Sequence, residues 1–220
     1  MADDGLSPDH FARVDESADT AFYALPRMVA HIDDAARAAL TGYFAAHLPA
    51  GGRIFDMMSS CISHLPETVG YGLVVGLGLN AAELAANPRL DGALVQDVNA
   101  LARLPFRDAA FDACILSVSV QYLTSPVEVF AEIGRALAPG ARCHVSFSNR
   151  MFPTKAIAAW RAAGDRDHAR LVGHYFVQAG LFEAPHLEDL SPAPGRADPL
   201  FVVSAQRRLS PHSSQPRITP

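Results

Sequence analysis

Positive charge is scarce in this chain: 18 Lys and Arg stand against 23 Asp and Glu, a net charge of -5 over 220 residues. A duplex nucleic-acid binder needs a basic face to displace counterions, so no nucleic-acid partner is expected. Arg207-Arg208 is only a lone basic pair. Cysteine is also rare. Cys61, Cys114 and Cys143 lie far apart with no C-x-x-C spacing, which excludes a disulfide framework and a zinc ribbon. Two of them fall in expected strands and read as buried thiols of a reducing compartment. The nine histidines show no H-x-x-H spacing, and no metal is expected. No apolar run reaches the length of a membrane span, and no basic leader precedes an apolar stretch. The protein is therefore expected to be cytoplasmic, with no membrane partner. Its oligomeric state is not legible.

What is present is a regular alternation of strand and helix patterns. Residues 1–18 are acidic and read as a mobile arm; residues 209–220 read as a disordered tail. Between them, 19–208 reads as one domain. Residues 19–50 form a helical cap of roughly 30 residues, by the spacing of Met28, Val29, Ile32, Ala36, Leu40, Tyr43, Phe44 and Leu48. Asp33 could cap a second helical piece, with Pro49-Ala50-Gly51-Gly52 as its stop.

The α/β core, 51–208, opens with a strand from Arg53 to Asp56, a turn, a short helix, and a second strand from Tyr71 to Asn80. Asn80 and Glu83 have capping-box character before a short helix that ends at Asn87-Pro88. A third strand runs from Ala93 to Val95 and a fourth from Ala113 to Val118. Ser125-Pro126 starts a helix expected to stop at Pro139-Gly140. A strand from Arg142 to Phe147, helices over Thr154–Ala163 and Asp167–Ala179, and a closing strand pair at Phe182–Leu187 and Leu200–Ala205 complete the pattern. Such alternation means a Rossmann-like, doubly wound α/β sheet covered on both faces.

Two ligand fingerprints overlap at the first two strands. One is a degraded D-x-G-x-G beginning at Asp56. The other is G-x-G-x-x-A from Gly76 to Ala81, with Asp97 about twenty residues on, the spacing of a nicotinamide-dependent oxidoreductase.

Downstream, Asp97, then Leu104-Pro105-Phe106, Phe111-Asp112-Ala113 and Leu137-Ala138-Pro139-Gly140, make the sequence resemble a class I S-adenosylmethionine-dependent methyltransferase of the type 11 small-molecule branch. The resemblance runs from about Gly51 to Phe147. It implies about seven strands, mostly parallel with an antiparallel last strand, and S-adenosyl-L-methionine as cofactor. It carries Asp56 over to the methionyl ammonium and Asp97 to the adenine amino group. Three departures stand out. Met58 and Ser60 occupy the glycine positions, and Gly78 stands where an acid usually takes the ribose, with Asn80 as a possible substitute.

On that resemblance the cofactor set is Asp56, Met58, Ser59, Ser60, Gly78, Leu79, Asn80, Asp97, Val98, Asn99, Ser117 and Val118. Phe22, Tyr23, Arg27, Gln121, Asn149 and Arg150 are the cap and substrate candidates, and Arg27 could pair with a carboxylate. His31 and Tyr122 are the candidate proton acceptors. The expected reaction is in-line methyl transfer to a small molecule, driven by orientation. Met58 and Gly78 also suit a methyltransferase-fold protein that has lost catalysis and serves as a scaffold.

Overall fold

A computed structural model describes residues 6–209. The tail expected at 209–220 lies outside the described residues except for Leu209, as does the start of the N-terminal arm. Seven strands make one sheet: β1 (Arg53–Met57), β2 (Leu73–Gly78), β3 (Gly92–Val95), β4 (Phe111–Ser117), β5 (Leu137–Phe147), β6 (His186–Asp189) and β7 (Phe201–Gln206), in the order β3-β2-β1-β4-β5-β7-β6. The first five pair in parallel, and β7 runs antiparallel between β5 and β6. The expected doubly wound sheet with an antiparallel last strand is what forms.

The helices are α1 (Asp19–Phe22), α2 (Asp34–His47), α3 (Ala81–Ala86), α4 (Pro126–Ala136), α5 (Ala158–Ala162) and α6 (Asp165–Gln178). On one face, α4 and α6 bury Phe130, Ile133, Tyr175 and Phe176 against Phe55, Cys114 and Val145. On the other, α2 seats Leu40, Tyr43 and Phe44 against Ile54, Ile115 and Val202. All three cysteines are buried, free thiols.

Several expected elements differ, each for a local reason. The helical cap is not continuous: four residues of α1 are followed by an irregular stretch, and α2 begins only after Asp33, whose carboxylate accepts from the Ala36 amide at 2.8 Å. Pro26 sits in that stretch and cannot continue a helix. Side chains from α3 also take its backbone groups, the Asn80 amide donating to Tyr23 O at 2.9 Å and Glu83 accepting from Arg27 N at 2.6 Å.

No helix joins β1 to β2. Ser59 and Ser63 donate to Asp56 and Ser60 donates to Glu83, so local side-chain bonds hold this crossover in an irregular path. Helix α4 stops at Ala136, because β5 begins at Leu137. Pro139 and Gly140 fall at a register shift in the β4–β5 ladder, with Gly140 at φ +82°.

The N-terminal stretch is the largest correction. Residues 6–18 are docked, not a free arm. Asp15 N donates to Thr154 O and Ala158 N donates to Ala12 O, each at 2.8 Å. Arg13 Nη1 reaches both oxygens of buried Asp19, at 2.7 and 2.8 Å. Fully buried Lys155 lies 3.2 Å from Asp19 and donates to the Ser17 carbonyl at 2.5 Å. One carboxylate thus joins the N-terminal stretch, α1 and the loop before α5.

Candidate cofactor and acceptor site

The main cleft encloses about 1020 Å³ of space, part of it open to solvent, at the carboxyl ends of β1, β2, β3 and β4. The chain reverses its winding between β1 and β4, and crevices at such switch points are where open α/β sheets take ligands. All twelve residues expected to hold a cofactor line it, as do Tyr23, Arg27, His31 and Tyr122.

Asp56 ends β1 and is only 2% exposed. Its Oδ2 accepts from Ser59 Oγ at 2.6 Å and Ser63 Oγ at 2.5 Å. Burial lifts its carboxyl to about 6, against the pull of the two hydroxyls. Oδ1 has no hydrogen-bond donor among the described residues, and the residue faces the cleft.

Asp97 follows β3. Its Oδ1 caps the next turn, accepting from Asn99 N at 2.9 Å and Ala100 N at 3.3 Å. The Asn99 side chain is consumed by the protein, donating to Asp19 and Tyr122 O and accepting from Thr124 N. Ser117, the last residue of β4, and Ser119 just beyond it line the cleft with buried hydroxyls that lack a partner among the described residues. Unpaired buried hydroxyls are costly, and a polar ligand would satisfy them.

The departures acquire physical meaning here. Met58, where a glycine is expected, adopts φ +54°, a left-handed conformation that costs a residue with a Cβ roughly 1–2 kcal/mol. His64 at φ +57° and Val118 at φ +52° share this strain, so three of the four non-glycine residues at positive φ among the described residues line the cleft. Strain of this kind gathers at functional sites.

Gly78 cannot carry the missing acid, because a Cβ there would lie 2.2 Å from the Ser59 carbonyl oxygen. A Cβ on Gly76 would lie 2.5 Å from the Leu90 side chain. Both glycines of the G-x-G fingerprint serve protein packing instead of cradling a dinucleotide. Asn80 is no free substitute for the acid either. Its Oδ1 caps α3 through the Ala82 and Glu83 amides, while its Nδ2 donates to Tyr23 O and Ala24 O.

Four named candidates stand outside this cleft. Phe22 packs beneath Arg27 and against Phe152. Gln121 is fully buried and donates to Val118 O and Arg150 O. Asn149 is exposed, and Arg150 pairs with Asp198 at 2.9 Å beside a neighbouring cavity. Tyr122 reaches the cleft, but its hydroxyl accepts from Phe152 N at 2.8 Å and burial holds its pKa high, so it positions the loop and is a poor proton acceptor. His31 is kept neutral at ordinary pH by burial, with Arg27 adding to the effect and Glu83 opposing it. It borders both cavities and meets the Phe152 ring at 5.7 Å.

The sequence reading missed Asp19, Ile62, His64, Gln96, Ser119 and Phe152 as lining groups, and gave Glu83 only a capping role. Ser119 lies between the candidates Val118 and Gln121. Phe152 had no signal, since it arrives from beyond β5.

Residues 59–145 match a family model described as a methyltransferase domain. This is a class I methyltransferase fold. A methyltransferase from Mesorhizobium loti, described as S-adenosylmethionine dependent, superposes with a TM-score of 0.53 at 18% identity, covering 77% of this chain and 98% of that one. The [4+2]-cyclase SpnF gives a TM-score of 0.57 at 16% identity, covering 78% and 81%. A curated bifunctional biotin-biosynthesis protein from Teredinibacter turnerae is 37% identical over 65 residues, 30% of this methyltransferase-fold chain but only 11% of the relative's length. Among the described residues, no helix is long and apolar enough to cross a membrane.

Proposed function

We propose that the protein transfers a methyl group from S-adenosyl-L-methionine to a small-molecule acceptor. The observation that carries this is the cleft itself. It holds a carboxylate at the end of β1 and another after β3, with unpaired serine hydroxyls at and just past the end of β4, at the switch point of a methyltransferase-type sheet.

The residues fit the cofactor with one replacement. Asp56 would meet the methionyl ammonium through its unpaired oxygen, Asp97 and Val98 the adenine, and Ser117 or Ser119 a further polar group. Glu83, in the first turn after β2, supplies the carboxylate that Gly78 lacks. It is buried and held by Ser60 Oγ and Arg27 N. When bound, the cofactor supplies an activated methyl group on a sulfonium.

The protein's own part is to orient the acceptor and exclude water, which in the best intramolecular models is worth roughly 7–11 kcal/mol. The α1 segment and Phe152 cover the cleft for this purpose, anchored through Asp19 and Lys155. Neutral His31 is placed to take a proton from an acidic acceptor.

Calorimetric titration with S-adenosylmethionine, S-adenosylhomocysteine and NAD tests the proposal. Micromolar binding of the adenosyl pair with NAD silent is the expected result. Silence from both adenosyl compounds at millimolar concentration would favour the scaffold alternative, and heat from NAD alone the oxidoreductase one.

A further inference from the structure

We infer that the acceptor carries a carboxylate, received by Arg27. Among the described residues lining the cleft, Arg27 is the only side chain of fixed positive charge. Arg13 and Lys155, which do not line the cleft, are committed to Asp19 of its wall. Arg27 has no such commitment: no ion pair engages its guanidinium among the described residues. Nη2 donates to the Phe22 carbonyl at 3.0 Å, while Nη1 is buried with no partner among the described residues.

A guanidinium withdrawn from water and left with an unused N–H is unfavourable unless a ligand completes it. Three rings hold it in place. Its central carbon lies 4.7 Å from the ring centre of Phe22, 5.2 Å from Phe152 and 5.4 Å from Tyr23. Cation–π contact with three rings inclined steeply to one another confines the guanidinium and leaves Nη1 for a planar oxyanion.

The charge of the remaining wall sets the size of that anion. Asp56, Glu83 and Asp97 line the same cleft, together with Asp19, which is already paired with Arg13 and Lys155. A monoanionic carboxylate can reach Arg27 without strong repulsion from these acids, whereas a dianionic phosphate is disfavoured. The aromatic wall of Tyr23, Tyr122 and Phe152 suits an apolar or aromatic body attached to that group.

The word acceptor rests on the methyltransferase reading above, but the anion site does not. The test is titration of benzoate and its neutral counterpart benzamide into protein saturated with S-adenosylhomocysteine. Benzoate should bind at least about tenfold more tightly, the worth of one charge-assisted hydrogen bond. Arg27→Gln should remove that preference, Arg27→Lys should keep part of it, and Arg27→Gln should leave S-adenosylhomocysteine affinity nearly unchanged.

Equal binding of benzoate and benzamide to the wild type overturns the inference whether or not any variant folds. So does an Arg27→Gln variant that loses S-adenosylhomocysteine yet still binds 5′-methylthioadenosine, which lacks the amino-acid tail. Arg27 would then serve the donor's own carboxylate. If S-adenosylhomocysteine fails to bind the wild type, the methyltransferase reading fails. The benzoate–benzamide comparison on the bare protein then decides the anion site separately.

Discussion

Replacing Asp19 by Asn is the sharpest structural perturbation the fold offers. The carboxylate is 4% exposed and receives two bonds from Arg13, one from Asn99, and the charge of Lys155 at 3.2 Å. The amide keeps the shape but leaves two cations buried without their shared counter-charge. Asp15, at 3.5 Å from Lys155, is a weaker partner. Removing one member of a buried ion pair costs about 3–5 kcal/mol. For a domain of this size that corresponds to a fall in Tm of roughly 6–20 °C, at about 2–4 °C per kcal/mol.

The loss should also depend on pH. Burial alone would raise the Asp19 pKa, but the hydrogen bonds from Asn99 and Arg13 outweigh it and the net shift is downward. A carboxylate with a depressed folded pKa stabilises fully above its unfolded value and loses that contribution as pH falls through the folded one. The gap between wild type and variant in urea denaturation should therefore be widest near neutrality and close in strong acid. A cost under about 1 kcal/mol at pH 7 would refute the claim that this carboxylate holds the N-terminal stretch and the cap in place.

Other expectations concern the cleft. Asp56 has a folded pKa of about 6, above its unfolded value, so its protonated form favours folding and that contribution is lost as pH rises through about 6. Asp56→Asn should thus be more stable than wild type at pH 8 by urea denaturation; equal stability would count against the burial argument. Because the cofactor's ammonium calls for the ionised form, S-adenosylhomocysteine affinity should fall as pH drops below about 6 in wild type. A flat affinity profile from pH 5 to 8 would remove Asp56 from the site. Met58→Gly relieves the left-handed strain and should tighten S-adenosylhomocysteine binding severalfold, with stability changing by less than about 1 kcal/mol; weaker binding would mean that the thioether contacts the cofactor. Gly78→Ala should cost about 1–3 kcal/mol or more, because the Cβ meets backbone at Ser59 and not a yielding side chain. A neutral result by thermal denaturation would contradict the packing described here.

The sheet was legible because its signals are local. Apolar runs ending in Asp56, Asn80, Gln96-Asp97 and Val118 marked the strand ends to within two residues, and parallel pairing then brought those ends together without further information. What failed depended on contacts distant in sequence. The Arg13–Asp19–Lys155 cluster joins residues about 140 positions apart, so the acidic N-terminal stretch looked free. The helix expected after β1 lost to serines that bond Asp56 and Glu83. The periodicity read from Met28 to Leu48 ran across Asp33, where α2 begins; Met28 and Val29 are in fact exposed and belong to the irregular stretch before it. Asn80 and Asn99 are pocket residues by position, yet their side chains are consumed by caps and loops, which spacing alone does not reveal. The cyclase that shares this fold shows why chemistry must be argued from the site.

The central claim is that the cleft past β1 and β3 holds an adenosyl cofactor. Its most direct test is S-adenosylhomocysteine affinity in Asp97→Ala beside wild type, with Tm recorded for both. Asp97 also caps a turn through two backbone amides, so a small Tm loss, about 1 kcal/mol in stability, is expected. A folded variant whose affinity drops about tenfold or more supports the account. A folded variant that binds S-adenosylhomocysteine as tightly as wild type contradicts it.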